Sequence, residues 1–113
     1  MQDISGALLE YYAINSRLPA TLAELNSLSD LDRPLTFSSP ASGKPFVYAP
    51  VGLRSPADPR EIVLFDPAVD REGLRWVIKL RRPRGREVAA TWVERIPNSI
   101  FQTYAPVSRS RGD

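Results

Sequence analysis

The order of segments in the first fifty residues constrains the fold of this chain more than any other feature. An amphipathic run over residues 3–16 is followed by Leu18-Pro19, and proline ends helices because it lacks an amide donor and restricts the residue before it. A short apolar segment follows at residues 21–28, and a Pro/Gly turn at residues 40–45 leads into Phe46-Val47-Tyr48. The sequence therefore predicts two helical segments and then strands.

The first helix has its apolar residues at helical spacing. They predict one buried face, made by Ile4, Ala7, Leu8, Tyr11 and Ile14. Leu9 and Ala13 fall on nearly the opposite side of the helix. These two residues are either incidentally exposed or part of a surface that contacts a second protein.

The second segment has the spacing of a capped helix. Thr21 followed by Glu24 fits a capping box, and its apolar side is made by Leu22, Leu25 and Leu28. Residues 29–34 are expected to be a polar segment that follows this helix, and residues 35–37 a brief extended segment.

The remaining pattern predicts strands. Residues 46–48 form a short strand, and residues 51–60 are expected to be a loop because they contain a glycine and two prolines. Residues 61–65 are a continuous apolar strand that ends at Asp66-Pro67, and residues 67–73 form another loop.

A hairpin is predicted at residues 74–95. Pro83 and Gly85 suit a three-residue loop, which would pair Arg82 with Arg86 and place Trp76 opposite Trp92. In that register the large apolar residues share one face, so both tryptophans are expected in the core. Arg81 would lie opposite Glu87 on the other face.

The end of the chain predicts a short helix or ordered wrap over residues 96–104, with Ile100, Phe101 and Tyr104 closing the sheet. The fold class is α+β, an N-terminal helix packed on a three- to four-stranded antiparallel sheet. Residues 1–106 are expected to form a single domain, and residues 107–113 a flexible tail. The terminal Arg-Gly-Asp triplet is interpreted as chance.

The composition argues against catalysis. The chain has 113 residues, no histidine and no cysteine, so the commonest general base, the thiolate nucleophile and the usual transition-metal ligands are missing. Asp66 and Asp70 could act as an acid–base pair or bind a metal, but turn-capping roles explain them. We therefore expect no enzyme, no catalytic residues, no cofactor and no metal site. No apolar run approaches the roughly 18 to 20 residues of a membrane helix.

Two stretches resemble the globular part of bacterial type II secretion pseudopilins and related pilin-like proteins. The first is a helix-to-proline pattern, formed by Ala7-Leu8, Tyr11-Tyr12, Asn15, Arg17-Leu18-Pro19, Leu22 and Leu25. The second is the turn that opens the sheet in such proteins, Ser39 to Tyr48, with Ser39 in place of the usual acid. Together they cover about residues 4–50, and no acidic cluster near the end matches the calcium site that major pseudopilins often have.

The resemblance implies a non-enzymatic assembly subunit of a pilin-like filament. Its partners would be other pilin-like subunits and secretion-machinery proteins. It implies a place on the periplasmic side of a bacterial cell envelope, anchored by an inner-membrane helix upstream of Met1. Leu9 and Ala13 would then contact neighbouring subunits.

The alternative is a small binding module that uses the basic hairpin tip. Four arginines crowd this stretch, Arg81, Arg82, Arg84 and Arg86. Arginine binds phosphates and carboxylates through bidentate geometry, so the tip could contact an acidic partner or nucleic acid. Because Glu87 lies next to the cluster and the net charge is only +2, a solvated turn also explains it, and nucleic-acid binding is not expected.

Overall fold

The computed structural model describes residues 1–27, 35–40, 42–83 and 85–106. Its elements, in chain order, are α1 (Gln2–Asn15), a 3₁₀ helix (Leu22–Ser27), β1 (Val47–Ser55), β2 (Asp58–Phe65), β3 (Leu74–Arg81), β4 (Ala90–Pro97), α2 (Asn98–Phe101) and β5 (Ala105–Pro106). The strands form one antiparallel sheet in the order β4-β3-β2-β1-β5. The α+β class is confirmed, but the predicted strand count was too low, because the end of the chain adds β5 beside β1. The predicted tail, residues 107–113, lies outside the described residues.

The helix α1 packs against the sheet through the predicted face. Ile4, Ala7, Leu8 and Tyr11 are buried in one cluster with side chains of β2 and β3. Ile14 was expected in this face but is 65% exposed. The buried face of α1 therefore ends at Tyr11. The helix itself ends at Asn15, where Ser16 adopts left-handed geometry at φ 58° and donates its N–H to the Tyr12 carbonyl.

Two turns between α1 and the sheet agree with the predictions in the described residues. Glu24 accepts a hydrogen bond of 2.9 Å from the Thr21 N–H, which is one arm of the predicted capping box, although the helix is of the 3₁₀ type. The Pro/Gly turn is closed by the Gly43 N–H, which donates to the Ser39 carbonyl at 2.8 Å. Residues 28–34, which include Leu28 and the predicted polar segment 29–34, and Ala41 lie outside the described residues.

The prediction of a loop over residues 51–60 was wrong. β1 continues to Ser55 and β2 begins at Asp58, so only two residues separate the strands. The pairing shifts register between Tyr48 and Leu53, and Gly52 lies in this irregular part with φ +95°. A bulge of this kind lets a strand continue through a glycine that otherwise signals a loop.

The predicted hairpin exists, but its register was wrong by three residues. Trp76 pairs with Arg95, and Trp92 pairs with Lys79. The strands are joined by residues 82–89 rather than by a three-residue loop, although Gly85 does take a positive φ of 58°. Because side chains alternate between faces, a shift of three places Trp92 on the face opposite to α1.

The sheet therefore has apolar residues on both faces. On the face away from α1, Ile62, Val77 and Ile96 form a second buried cluster, against which Phe101 and Tyr104 pack. This confirms that the end of the chain closes the sheet, although Ile100 is 47% exposed. The tryptophans do not form the core: Trp76 is 44% exposed, and Trp92 is half-buried.

Candidate functional site

Two arginines of the basic stretch, residues 81–86, form hydrogen bonds with other residues of the chain. Arg82 Nε donates to Glu61 Oε2 at 3.0 Å, and its Nη2 donates to the Pro50 carbonyl at 2.9 Å. Arg81 contacts the Val88 carbonyl through Nη2 at 3.3 Å. These contacts tie the start of the β3–β4 connection to β1 and β2, so the stretch is not a free cluster of cations.

The other members of the stretch differ from Arg82. Arg81 Nε lies 3.8 Å from Glu87 Oε2, so these two residues are near each other as the sequence predicted, despite the different register. Arg86 is exposed, and Arg84 lies outside the described residues. Within the described part of the chain, Arg86 is therefore the cation of this stretch that is available to a partner.

The outer side of α1 offers a small surface. Ala13 is exposed and Leu9 is half-buried. Ile14, which was expected in the core, is also largely exposed, in the last turn of the same helix.

A network of charged side chains lies on the sheet face away from α1. Lys79 Nζ contacts Asp58 Oδ2 at 2.8 Å and Glu94 Oε1 at 2.9 Å. Arg60 binds the same two carboxylates, and the Tyr104 hydroxyl donates to Asp58 at 2.7 Å. Lys79 is only 4% exposed, so the network places two cations and two anions in a partly buried position.

The pKa values of these groups follow from their hydrogen bonds. Burial alone would raise the pKa of Asp58, but hydrogen bonds from Arg60, Lys79 and Tyr104 outweigh burial and hold this pKa well below its usual range. Burial would also raise the pKa of Glu94, but hydrogen bonds from Lys79 and Arg60 outweigh burial and lower this pKa. The pKa of Lys79 is raised, since its bonds to the two carboxylates exceed the effect of burial. All four groups thus stay charged, as ion pairs that stabilise the fold.

Trp92 belongs to the same face. The Arg60 guanidinium lies 4.9 Å from its ring centre and the Arg81 guanidinium 5.8 Å. Cations over an indole ring are attracted by its quadrupole. This environment differs from the core position expected from the sequence, and it leaves the indole covered by two arginines instead of by α1.

An open cavity lies on the α1 side of the sheet, beside the first residues of the helix. Its volume is about 490 Å³. Besides Pro40 and Ala68, larger apolar side chains from five separate parts of the chain line it, and they are Met1, Phe46, Val69, Leu74, Trp76 and Val93. Asp66 and Asp70 are the charged residues in its wall. The sequence analysis missed this cavity, because only tertiary packing brings these segments together.

The two acids have the turn roles that the sequence indicated. Asp66 Oδ1 accepts the Ala68 N–H at 3.0 Å. Asp70 Oδ1 accepts the N–H groups of Glu72 and Leu74, and its Oδ2 binds Arg95 Nε at 2.6 Å. The hydrogen bonds from the backbone and from Arg95 lower the pKa of Asp70. Among the described residues, no three His, Cys, Asp or Glu side chains are grouped as metal ligands.

Comparison with protein-family models, curated proteins and solved structures finds no match to this chain. Within the described residues, no helix has the length and apolar character needed to cross a membrane.

Proposed function

We propose that this domain is a non-enzymatic assembly subunit of a pilin-like filament, with a type II secretion pseudopilus as the specific expectation. In this proposal the globular domain lies on the filament surface and contacts neighbouring subunits. It would act on the periplasmic side of the cell envelope, with a membrane helix upstream of Met1.

One observation carries the proposal: the segments that resemble pilin-like proteins meet in the fold. The Tyr48 hydroxyl donates a hydrogen bond of 2.7 Å to the Pro19 carbonyl. Tyr48 ends the turn-to-strand pattern and Pro19 belongs to the helix-to-proline pattern, although 29 positions separate them. Burial of Tyr48, with Glu24 and Tyr11 nearby, raises the pKa of its hydroxyl, which therefore stays protonated as the donor.

A second tyrosine joins the helix to the capped segment. The Tyr11 hydroxyl donates to Glu24 Oε1 at 3.2 Å. Leu25 of the same segment is fully buried in the cluster beneath α1. The recurring residues of the pattern therefore have a shared structural role, which is to hold α1 and the turn on one side of the sheet.

The charged groups favour a structural role over catalysis. The network around Lys79 is internally paired, and Asp66 and Asp70 cap turns. In the basic stretch, Arg82 is paired with Glu61. This weakens the alternative of a binding module, which needs several free cations at one place.

The first test is the natural reading frame upstream of Met1. A short leader followed by about 20 apolar residues is the expected result. A stop codon directly upstream, with Met1 as the true start, would refute the filament subunit.

Crosslinking in the native cell tests the contact surface separately. A photo-crosslinking amino acid at Ala13 in the full natural protein is expected to trap other pilin-like subunits in the membrane fraction. The matched control carries the same group at Thr36, which is exposed elsewhere on the domain. Equal trapping from the two positions would contradict a role for the outer face of α1.

A further inference from the structure

The cavity beside α1 leaves apolar surface uncovered. Trp76 and Val69 line it and remain 44% and 43% exposed. Exposing such side chains to water is unfavourable by about 25 cal/mol per Å² of apolar area. Covering these two side chains with an apolar group of suitable size is therefore favourable.

The cavity wall also contains an incompletely satisfied carboxylate. Asp66 is 7% exposed, and its Oδ1 accepts the Ala68 N–H. Its Oδ2 accepts no hydrogen bond from any residue in the described part of the chain. This oxygen still reaches the solvent, so it can pair with a cation that a partner brings next to its apolar group.

The β3–β4 connection presents that combination. Val88 is 72% exposed, and two residues before it the exposed Arg86 makes no hydrogen bond or ion pair with any described residue. The segment thus carries an apolar side chain beside an available guanidinium, which complement the indole of Trp76 and the carboxylate of Asp66.

These two surfaces lie at opposite ends of the same strand. β3 begins with Leu74 at the cavity and ends with Arg81, where the connection starts. At about 3.3 Å per residue the ends of this strand are roughly 23 Å apart. One copy therefore cannot place its own connection in its own cavity.

We propose that the Arg86–Val88 segment of one copy docks in the cavity of the next copy. This contact joins two different surfaces, and head-to-tail contacts of this kind build open chains unless the rotation closes a ring. The inference deepens the proposed function, on which it rests for the biological setting. The choice of a second copy comes from the complementary charge and apolar groups.

Disulfide trapping tests the contact directly, since the chain contains no cysteine. One variant carries Val69→Cys at the cavity, and a second carries Val88→Cys in the segment. The two are mixed under mild oxidation, and heterodimers are measured by intact mass. The matched control replaces the second variant with Val51→Cys, because Val51 is 50% exposed in β1. We expect the Val69–Val88 pair to crosslink at least about fivefold faster than the control, which corresponds to about 1 kcal/mol at 1.4 kcal/mol per tenfold.

Charge reversal tests the role of the cation. Adding Arg86→Glu to the Val88→Cys variant is expected to reduce the rate to that of the control, whereas Arg54→Glu, at another exposed arginine, should leave it unchanged. A single protein with both Val69→Cys and Val88→Cys should give a ladder of oligomers. Equal rates for the two cysteine pairs, or no effect of Arg86→Glu, would overturn the docking.

The outcomes separate this inference from the proposed function. An upstream leader together with equal crosslinking rates would refute the docking alone. A true start at Met1 together with selective trapping would refute the filament subunit and leave the head-to-tail contact standing.

Discussion

Replacing Lys79 with methionine tests whether the charged network stabilises the fold. Methionine keeps most of the length of the side chain but removes the ammonium group. Asp58 and Glu94 then lose bonds of 2.8 and 2.9 Å, while Arg60 remains as their cation. The network changes from two cations and two anions to one cation and two anions.

The magnitude follows from the burial of the lysine. Removing one partner of a buried ion pair costs about 3–5 kcal/mol. Lys79 is 4% exposed, which favours the full cost, but Arg60 still binds both carboxylates and Tyr104 still binds Asp58. We therefore expect a loss near the lower limit, about 3 kcal/mol at pH 7. With a urea m-value of about 1.5 kcal/mol/M, the midpoint falls by about 2 M.

The loss should depend on pH in a defined direction. The pKa values of Asp58 and Glu94 are lowered in the folded protein, so their stabilisation is complete above the unfolded pKa of about 4 and is lost as the pH falls through the folded values. The difference between wild type and Lys79→Met is therefore expected to shrink when the pH is lowered from 7 to 3.

Urea unfolding followed by far-UV circular dichroism at both pH values is the assay. The matched control is Lys44→Met, at the only other lysine of the chain, which lies exposed in the Pro/Gly turn. The control should change stability by less than about 0.5 kcal/mol. A loss below about 1 kcal/mol for Lys79→Met, or a loss that does not change with pH, would refute the reasoning.

Three further substitutions test other parts of the fold, each read from urea unfolding. Gly52→Ala should destabilise by at least about 2 kcal/mol, since φ +95° is strained for alanine and a Cβ there would overlap the Glu61 carboxylate; an unchanged midpoint would contradict the bulge. Tyr48→Phe should cost about 1 kcal/mol by removing the hydrogen bond to Pro19, and a neutral result would show that this contact does not hold the two segments together. Arg82→Met should cost about 1–2 kcal/mol by leaving Glu61, only 7% exposed, without its cation; the partner variant Glu61→Gln should reduce that cost, and its failure to do so would argue against the pairing.

Local periodicity was enough to predict several elements. The buried face of α1 follows from apolar spacing, because a helix repeats every 3.6 residues whatever it packs against. The left-handed Gly85 and the turn closed by Gly43 follow from the conformational freedom of glycine. The strand at residues 61–65 follows from its continuous apolar run. These features depend on interactions between residues close in sequence.

The hairpin register shows where this reasoning stops. A three-residue loop and a one-sided apolar face both favoured pairing Trp76 with Trp92. In the fold, Arg82 instead binds Glu61 on β2 and belongs to a longer connection. That contact joins residues 21 positions apart, so no local pattern reveals it. The same shift places Lys79 beside Trp92 and builds the charged network.

What the sequence by itself determined is therefore the fold class: an α+β fold with a helix that has a buried face and turns at its glycines, built from a chain without histidine or cysteine. Only the tertiary structure decided the register of β3 and β4, the strand through Gly52, the charged network and the cavity around Trp76. The physical reason is how far apart in the sequence the interacting residues lie. Periodicity and turn geometry are set within a few residues, whereas register, ion pairs and cavities depend on which distant segments pack together.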